Sequence, residues 1–357
     1  MRFIHLADMH LDNAFKVLAM KKDLGDLRRL EQRSAFKDAI EYIKQNKIPY
    51  FFIAGDLYEH KYIKQSTIEF INDLFKTIPD TKIFITPGNH DPFLKNSFYN
   101  TFKWNENVYI FNSEIKKYEF EDVDIYGYGF SDFYCTNSGI ENIQIENKNK
   151  INILIVHGAL NSSKAIDASY NPISEGELKK LGFDYIALGH VHKANYQENT
   201  NIVYPGSAIS CGFDELGEHG MLDVELEKNK LKIDFIKLDK RIFEEKDLII
   251  TTINSEEELV EMINSLPLNS CNMYKIILKG NKNFQVNINN IQKLINQENI
   301  LKIKDFSEVP YDIESISKQN NLKGIFVKKC LEKLENNEYT EEQIKKVIEI
   351  GLGVLWK

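Results

Sequence analysis

One pattern recurs five times in the first half of the 357-residue sequence, and it constrains the fold more than any other feature. A short run of apolar residues is followed at once by polar residues of the kinds that bind metals. The polar motifs are Asp8-Met9-His10, Gly55-Asp56, Gly88-Asn89-His90-Asp91, His157-Gly158 and Gly189-His190-Val191-His192. Short runs rich in Ile, Val, Phe and Tyr predict buried strands.

The segments between the first strands have helical spacing instead. Residues 27–46 carry apolar side chains on one face, and residues 68–78 repeat this arrangement. Alternating strands and helices predict an α/β fold in which a layered sheet is covered by helices. Binding sites in such sheets form beyond the carboxyl ends of the strands, where the five motifs lie. We therefore expect the motifs to meet in one cleft.

The remaining sequence predicts further parts without such motifs. Residues 197–240 indicate mostly strands, including a hairpin, and complete a first domain over residues 1–240. Residues 241–318 predict a small β-α-β-α-β unit whose first strand covers 248–253. Residues 319–357 predict a tail of two amphipathic helices, the second opened by the capping box Thr340-x-x-Gln343.

Composition limits the classes of function. The net charge of −8 argues against a large basic surface that coats nucleic acid, although metal ions add local positive charge that formal counting misses. No apolar run approaches the roughly 18–20 residues of a membrane span. Asp8 interrupts the N-terminus before a signal-peptide core is formed, and the four cysteines show no CxxC pair. We therefore expect a cytoplasmic protein with no membrane contact and no disulfide framework.

The polar residues after the strands predict a metal centre. Histidine, carboxylate and amide ligands without thiolate suit Mn²⁺, Fe²⁺ or Zn²⁺. The ligands are too many for one ion, whereas two ions about 3.5–4 Å apart that share a carboxylate would use them all. Each motif taken alone is also a common turn or helix cap, but five in order after buried strands disfavour that alternative.

The order of these motifs resembles the calcineurin-like metallophosphoesterases. Within that family, five segments are similar to the SbcD-type and YhaO-type DNA repair exonucleases, namely His5–Asp12, Gly55–Tyr58, Gly88–Pro92, Gly189–His192 and Gly212–Gly220. The resemblance at the level of motifs covers residues 1–240. It implies a four-layer α/β/β/α sandwich there, a small α+β capping domain at 241–318 that helps select DNA, and a helical tail at 319–357.

The resemblance also implies a role for each polar residue. The implied metal ligands are Asp8, His10, Asp56, Asn89, His157, His190 and His192. The first metal would be bound by Asp8, His10 and His192. The second metal would be bound by Asn89, His157 and His190, and Asp56 would bridge the two metals. His90 would be a catalytic histidine that is not a ligand, with Asp91 holding its ring. The two divalent ions would be Mn²⁺ by first choice, with Fe²⁺, Zn²⁺ or Mg²⁺ as alternatives.

The activity implied by the resemblance is hydrolysis of DNA phosphodiesters in DNA repair, as a 3′-to-5′ exonuclease with additional endonuclease activity. The implied partners are DNA and an ATPase subunit of the ABC/SMC-like class on which the tail would dock. Members of the family often dimerise, so a homodimer stays open. Two alternative functions also stay open. The protein would act on a nucleotide, a phosphoprotein or a small phosphodiester, or it would be a DNA-binding scaffold subunit with vestigial hydrolysis.

Residues near the motifs have two interpretations as substrate contacts. The basic residues Lys21, Lys22, Arg28, Arg29 and Arg33 would suit a phosphate backbone, or they form a solvated helix face. The aromatic residues Tyr99, Phe102 and Trp104 would stack on bases, or they are ordinary packing.

Overall fold

The structure is a computed structural model, and it describes residues 1–15, 18, 23–136, 139–161, 170–228, 230–336 and 338–355. Lys21 and Lys22 lie outside these ranges. The chain divides into two units, Met1–Phe243 and Glu244–Lys357. Among the described helices, none has both the length and the apolar character needed to cross a membrane.

The first unit contains a six-stranded sheet built around the first three motifs. Its strands are β1 (Arg2–Leu6), β2 (Tyr50–Ala54), β3 (Lys82–Thr86), β4 (Val108–Ile110), β10 (Gly220–Glu227) and β11 (Lys230–Lys237). The strand order is β11-β10-β1-β2-β3-β4. Strands β1 to β4 run parallel, and the hairpin β10–β11 joins β1 in the antiparallel direction. The first three motifs therefore leave the same edge of this sheet.

A second, five-stranded sheet carries the other two motifs. Its strands, in the order in which they pair, are β5 (Lys116–Glu119), β6 (Val123–Gly127), β7 (Ile151–His157), β8 (Tyr185–Gly189) and β9 (Ile202–Val203). Strands β6 to β9 are parallel, and β5 pairs with β6 in the antiparallel direction. Because β7 and β8 are parallel neighbours, the motifs that end them lie side by side.

Both faces of each sheet are covered. The two sheets share a core in which Phe52 and Phe84 of the first sheet pack with Ile153 and Tyr185 of the second. Helices α1 (Leu24–Asn46) and α2 (Gln65–Lys76) cover the other face of the first sheet, where Phe75 contacts rings of both α1 and β2. After the short helix α3 (Phe98–Thr101), helix α4 (Glu175–Leu181) packs on the second sheet. The predicted α/β fold class is confirmed.

The second unit begins with a small sheet and two helices. Its elements are β12 (Phe243–Ile249), α5 (Glu256–Asn264), β13 (Met273–Lys279), α6 (Ile288–Leu294) and β14 (Ile300–Asp305). Strand β12 starts before the predicted range 248–253, and the sequence did not indicate this start because residues 244–247 are four consecutive charged residues. Residues 250–253 form a turn instead, which is closed by a hydrogen bond from Ile253 N to Ile250 O.

The tail at residues 319–357 contains the two helices that the sequence predicted there. They are α8 (Leu322–Glu335) and α9 (Glu341–Leu355), and a short helix α7 (Ile313–Ser317) precedes them. The capping box at α9 is formed, since Gln343 N donates to Thr340 Oγ1 and Thr340 N donates to Gln343 Oε1. Most of the apolar face of α9 is buried, because Ile344, Ile348 and Leu352 pack with residues of α7 and α8.

Candidate metal centre

The motifs that follow β1, β2, β3, β7 and β8 meet in one cleft of the first unit. Ligand atoms of Asp8, His10 and His192 lie within 4.8 Å of one another, and so do those of Asp8, Asp56 and His157. A third group of the same size joins His10 and Asp56 to His90. Since Asp8, His10 and Asp56 each belong to two groups, the groups form one continuous cluster.

Unusual backbone geometry places several of these side chains. Asp8, His10, Asp56 and His190 have φ angles of 51°, 48°, 52° and 100°. Residues other than glycine rarely adopt such angles, and each costs on the order of 1–3 kcal/mol, so the surrounding structure must hold them in place. Hydrogen bonds between the first two motifs do so: Asp8 N donates to Gly55 O at 3.1 Å and His10 N donates to Asp56 O at 2.8 Å.

The two sheets approach each other closely at the cleft. A Cβ atom at residue 189 would lie 1.8 Å from the carbonyl oxygen of Ala54, and one at residue 55 would lie 2.2 Å from His157 Nδ1. Glycine is therefore required at both positions if β8 and β7 are to bring their ligands beside those of β2.

One half of the cluster is formed by His10, His192 and two carboxylates. The Nε2 atoms of the two rings are 3.2 Å apart. His10 Nδ1 bonds Glu59 Oε1 at 3.0 Å, and His192 Nδ1 bonds Glu215 Oε1 at 2.7 Å. A carboxylate partner makes each Nδ1 the donor, so both Nε2 lone pairs point to a common place. This arrangement fits a cation held by these rings together with Asp8, whose Oδ1 lies 3.8 Å from His192 Nε2.

The other half is formed by Asn89, His157 and His190. His157 Nδ1 donates to Ala54 O at 2.8 Å, which leaves the lone pair on Nε2. That Nε2 lies 3.1 Å from Asn89 Oδ1 and 3.3 Å from Asp56 Oδ2. His190 Nδ1 is 3.2 Å from the same amide oxygen. The donor atoms fit a second cation, and Asp56 lies between the two halves because its Oδ2 is also 3.8 Å from His10 Nε2.

The carboxylates of the cluster raise the pKa of histidines beside them. Burial alone would lower the pKa of His157, but the charges of Asp56 and Asp8 raise it to about 9. Burial alone would also lower the pKa of His192, but its hydrogen bond to Glu215 and the charge of Asp8 raise it to about 9. A buried group of carboxylates with this effect on its neighbours is the environment in which divalent cations bind.

The structure places His90 and Asp91 differently from each other. The His90 side chain is 43% exposed, and its Nδ1 bonds Glu59 Oε2 at 3.0 Å. Asp91 is fully buried and accepts hydrogen bonds from the hydroxyl of Tyr99 and from backbone N–H groups that include those of Leu57 and Gly88. The expectation that Asp91 holds the His90 ring is therefore corrected, because Glu59 makes that contact and Asp91 shapes the backbone under Asp56.

Two functional residues were missed in the sequence. Glu59 accepts a hydrogen bond from the candidate ligand His10 with one oxygen and from His90 with the other. Glu215 accepts hydrogen bonds from His192, from the Ser207 hydroxyl and from the backbone N–H of Cys211. Both lie on loops close to or within the segments that carry the family resemblance. An acidic residue three positions after Asp56 was the available signal for Glu59, but nothing in the spacing indicated that it contacts two rings.

The three histidines outside the cluster, His5, His60 and His219, make ordinary contacts within the protein. His5 is buried, and its Nδ1 lies 2.9 Å from the hydroxyl of Tyr185. His219 is held by Ser207 and by the backbone of Glu215. His60 follows Glu59, and its ring faces Phe133 with centroids 5.9 Å apart.

The described residues that had two interpretations, as substrate contacts or as ordinary surface and packing residues, make contacts within the protein. Arg28 is buried and binds both oxygens of Asp239, while Arg33 binds Asp12. Arg29 pairs with Asp26. The aromatic residues after the third motif are packing residues: Tyr99 is buried, and it packs with Trp104, which also contacts Phe102.

Comparisons with known proteins agree with this geometry. A family model described as "Calcineurin-like phosphoesterase" matches residues 1–194. The chain is 25% identical over 272 residues to the "Uncharacterized metallophosphoesterase YhaO" of Bacillus subtilis, covering 73% of this chain and 66% of that protein. It is 28% identical over 267 residues to a subunit of the nuclease SbcCD from Staphylococcus epidermidis, covering 65% of this chain and 67% of that protein. The matches thus span about two thirds of the length of these relatives.

A solved structure is also similar to part of the chain. The crystal structure of TT1561 of Thermus thermophilus superposes with a TM-score of 0.36 at 11% identity, covering 66% of this chain and 98% of that chain. Similarity at this level supports no argument about function.

Proposed function

Because the chain belongs to the calcineurin-like phosphoesterase family, we propose that it is a two-metal phosphodiesterase that hydrolyses DNA in DNA repair. We propose the activity of a 3′-to-5′ exonuclease with additional endonuclease activity. The observation that carries the proposal is the convergence of seven donor side chains from five strand ends on one cleft. Metallophosphoesterases bind two divalent metals, and the donors fit two cations.

The proposed assignment of ligands follows the two halves of the cluster. Asp8, His10 and His192 hold one cation, Asn89, His157 and His190 hold the other, and Asp56 is shared. Two such cations, when bound, lower the pKa of a shared water and withdraw charge from the phosphoryl oxygens. We propose Mn²⁺, because histidine, carboxylate and amide donors without thiolate suit it, as they suit Fe²⁺ and Zn²⁺.

His90 is proposed to act on the substrate directly. Its ring is the most exposed of the candidate site histidines, and its Nδ1 is held as a donor by Glu59. Burial lowers the pKa of His90, but its hydrogen bond to Glu59 and the charge of Asp56 raise it to about 9, so both ring nitrogens carry a proton near neutral pH. The Nε2–H group then remains for the substrate, where it donates a hydrogen bond to a phosphoryl oxygen or a proton to the leaving oxygen. Asp91 supports this loop from below through its bonds to the backbone of Leu57 and Gly88.

DNA is proposed as the substrate on the basis of the resemblance. One relative is a nuclease subunit, and the segments similar to the exonucleases include Gly212–Gly220, which here supplies Glu215 to the cluster. The second unit would then correspond to the capping domain at residues 241–318 that helps select DNA, followed by the tail at 319–357.

A partner subunit is proposed for the tail. One relative is named as a subunit of the nuclease SbcCD, and the resemblance of the motifs implies that the partner is an ATPase of the ABC/SMC-like class. The part of α9 left for such a contact is an exposed apolar strip of Val347, Ile350 and Val354, which are 48%, 61% and 68% exposed. An Ile350→Lys variant should lose the ATPase in co-purification while its nuclease activity on short DNA is kept.

The test of the function uses purified protein with MnCl2 and DNA labelled at either end. We expect products shortened from the 3′ end, and we expect Asp56→Asn and His90→Ala to abolish cleavage. The same preparation is assayed on a cyclic nucleotide, a mononucleotide and a phosphoprotein. Hydrolysis confined to one of these, with DNA left intact, would overturn the proposed substrate but leave the phosphoesterase chemistry.

A test in cells distinguishes the proposed nuclease from the alternative of a DNA-binding scaffold subunit with vestigial hydrolysis. If His90→Ala protein binds Mn²⁺ like the wild type and supports DNA repair unchanged, catalysis is not the function. We expect repair to be lost instead.

A further inference from the structure

Two aromatic side chains stand exposed on the loop that follows β6. Phe133 is 39% exposed and Tyr134 is 63% exposed; among the described aromatic residues of the first unit, only Tyr62, at 38%, is comparably exposed. Large aromatic groups gain free energy by leaving water, so a pair of exposed rings beside a reaction site indicates a contact surface.

The two rings connect to opposite parts of the metal cluster. The Phe133 ring faces that of His60, whose backbone N–H donates to His90 O at 2.9 Å. The Tyr134 ring faces Tyr170 with centroids 5.9 Å apart, and Tyr170 in turn lies 5.2 Å from the His190 ring at a tilt of 34°. A single loop thus reaches both the His90 side and the His190 side of the cleft.

The loop is anchored to the site. The backbone N–H of Asn171 donates to Cys135 O at 2.6 Å, and the Asn171 side chain donates to His157 O, also at 2.6 Å. The hydroxyl of Tyr128 donates to Asn171 Oδ1 at 3.1 Å. A contact surface tied in this way to a candidate metal ligand loses little freedom when a ligand binds.

We propose that Phe133 and Tyr134 form a subsite that stacks an unpaired nucleobase of the substrate. This subsite rests on the proposed function, and it specifies which part of the substrate is bound beside the scissile phosphate. Two successive ring contacts, with centroids 5.9 Å and 5.2 Å apart, connect Tyr134 to His190 through Tyr170. Every base has a planar π face, so the subsite would favour single-stranded ends without reading their sequence.

Two basic side chains near the first motif are already paired with carboxylates. Arg29 pairs with Asp26, and Arg33 pairs with Asp12. Little positive charge from these two side chains is therefore left for the backbone of a bound strand, and stacking of a base would add affinity that they do not supply.

The test measures binding, so that it does not depend on turnover. Protein carrying His90→Ala and loaded with Mn²⁺ is titrated with a short oligothymidine and with the same oligomer made abasic at its 3′-terminal residue. We expect the protein to prefer the intact oligomer by about 5- to 150-fold, the range given by stacking of one base. Adding Tyr134→Ala or Phe133→Ala should reduce that preference, whereas Tyr134→Phe should retain it.

The matched control is Tyr339→Ala, which removes a tyrosine that is 50% exposed in the second unit and should change nothing. Equal binding of the two oligomers by the starting protein would overturn the subsite. So would a Tyr134→Ala effect of equal size on both oligomers, because that indicates structural damage. If the preference is found but wild-type protein does not cleave DNA, the proposed function fails while the subsite stands.

Discussion

Replacing Glu59 with glutamine removes an acceptor from the side chain that holds two histidines of the site. Glu59 Oε1 accepts from His10 Nδ1, and Oε2 accepts from His90 Nδ1, each at 3.0 Å. Glutamine has the same length but offers one carbonyl oxygen and one amide group that only donates. One of the two histidines must lose its acceptor, and its ring is then free to take the other tautomer.

The size of the effect follows from the burial of the two bonds. A hydrogen bond to a charged group contributes about 1.5–3 kcal/mol. The His10 side chain is 3% exposed, which places its bond toward the upper value. The His90 side chain is 43% exposed, and solvent screening places its bond toward the lower value. Since about 1.4 kcal/mol corresponds to a factor of ten, we expect a loss of about 10- to 100-fold, as is usual for groups that orient metal ligands.

Two measurements separate the two histidines. A loss at His10 should appear in the affinity for Mn²⁺, measured by calorimetry. A loss at His90 should appear in kcat for bis(p-nitrophenyl) phosphate at saturating MnCl2, with the affinity for Mn²⁺ kept. The control is Glu225→Gln, which removes the charge from an exposed side chain paired with Lys232. If Glu59→Gln keeps both quantities as close to wild type as the control does, Glu59 does not orient these rings.

Three further predictions concern stability and metal binding. Gly189→Ala would place a Cβ 1.8 Å from Ala54 O; we expect a loss of about 3 kcal/mol, and an unchanged urea midpoint would contradict the close approach. Tyr99→Phe removes the hydroxyl that donates to Asp91 at 2.6 Å, so the free energy of unfolding should fall by about 1.5–3 kcal/mol in chemical denaturation; no measurable fall would count against this bond. MnCl2 at about 100 times its Kd should stabilise the protein by about 2.7 kcal/mol, seen as a higher Tm. Asp56→Asn should lose most of that rise, and a full rise in this variant would locate the metal elsewhere.

The strands and the convergence of the motifs were predictable because both follow from short-range patterns. Strands β1, β2 and β3 consist mostly of apolar residues, so their position and the edge at which their motifs emerge could be inferred from sequence alone. Strand β12 has four consecutive charged residues at 244–247, and its position was predicted incorrectly.

Contacts made across the cleft were not predictable. The family resemblance implied that Asp91 holds the His90 ring, but the carboxylate of Asp91 turns inward to backbone N–H groups. Glu59 is distant from His90 in sequence and yet contacts its ring. The direction of a side chain on a tight loop depends on left-handed residues such as Asp56, and that conformation is fixed by tertiary packing.

The division of ligands between the sheets links the proposed metal sites to the fold. In the proposed first site, Asp8 and His10 follow a strand of the first sheet and His192 follows a strand of the second. In the proposed second site, Asn89 follows a strand of the first sheet, while His157 and His190 lie at the ends of strands of the second. Neither sheet alone contains the full set for either cation. Because each site exists only when the sheets pack together, cations that bind there favour the packed state over the unfolded chain. Loss of packing between the sheets would therefore weaken both proposed sites at once, even when every ligand is retained.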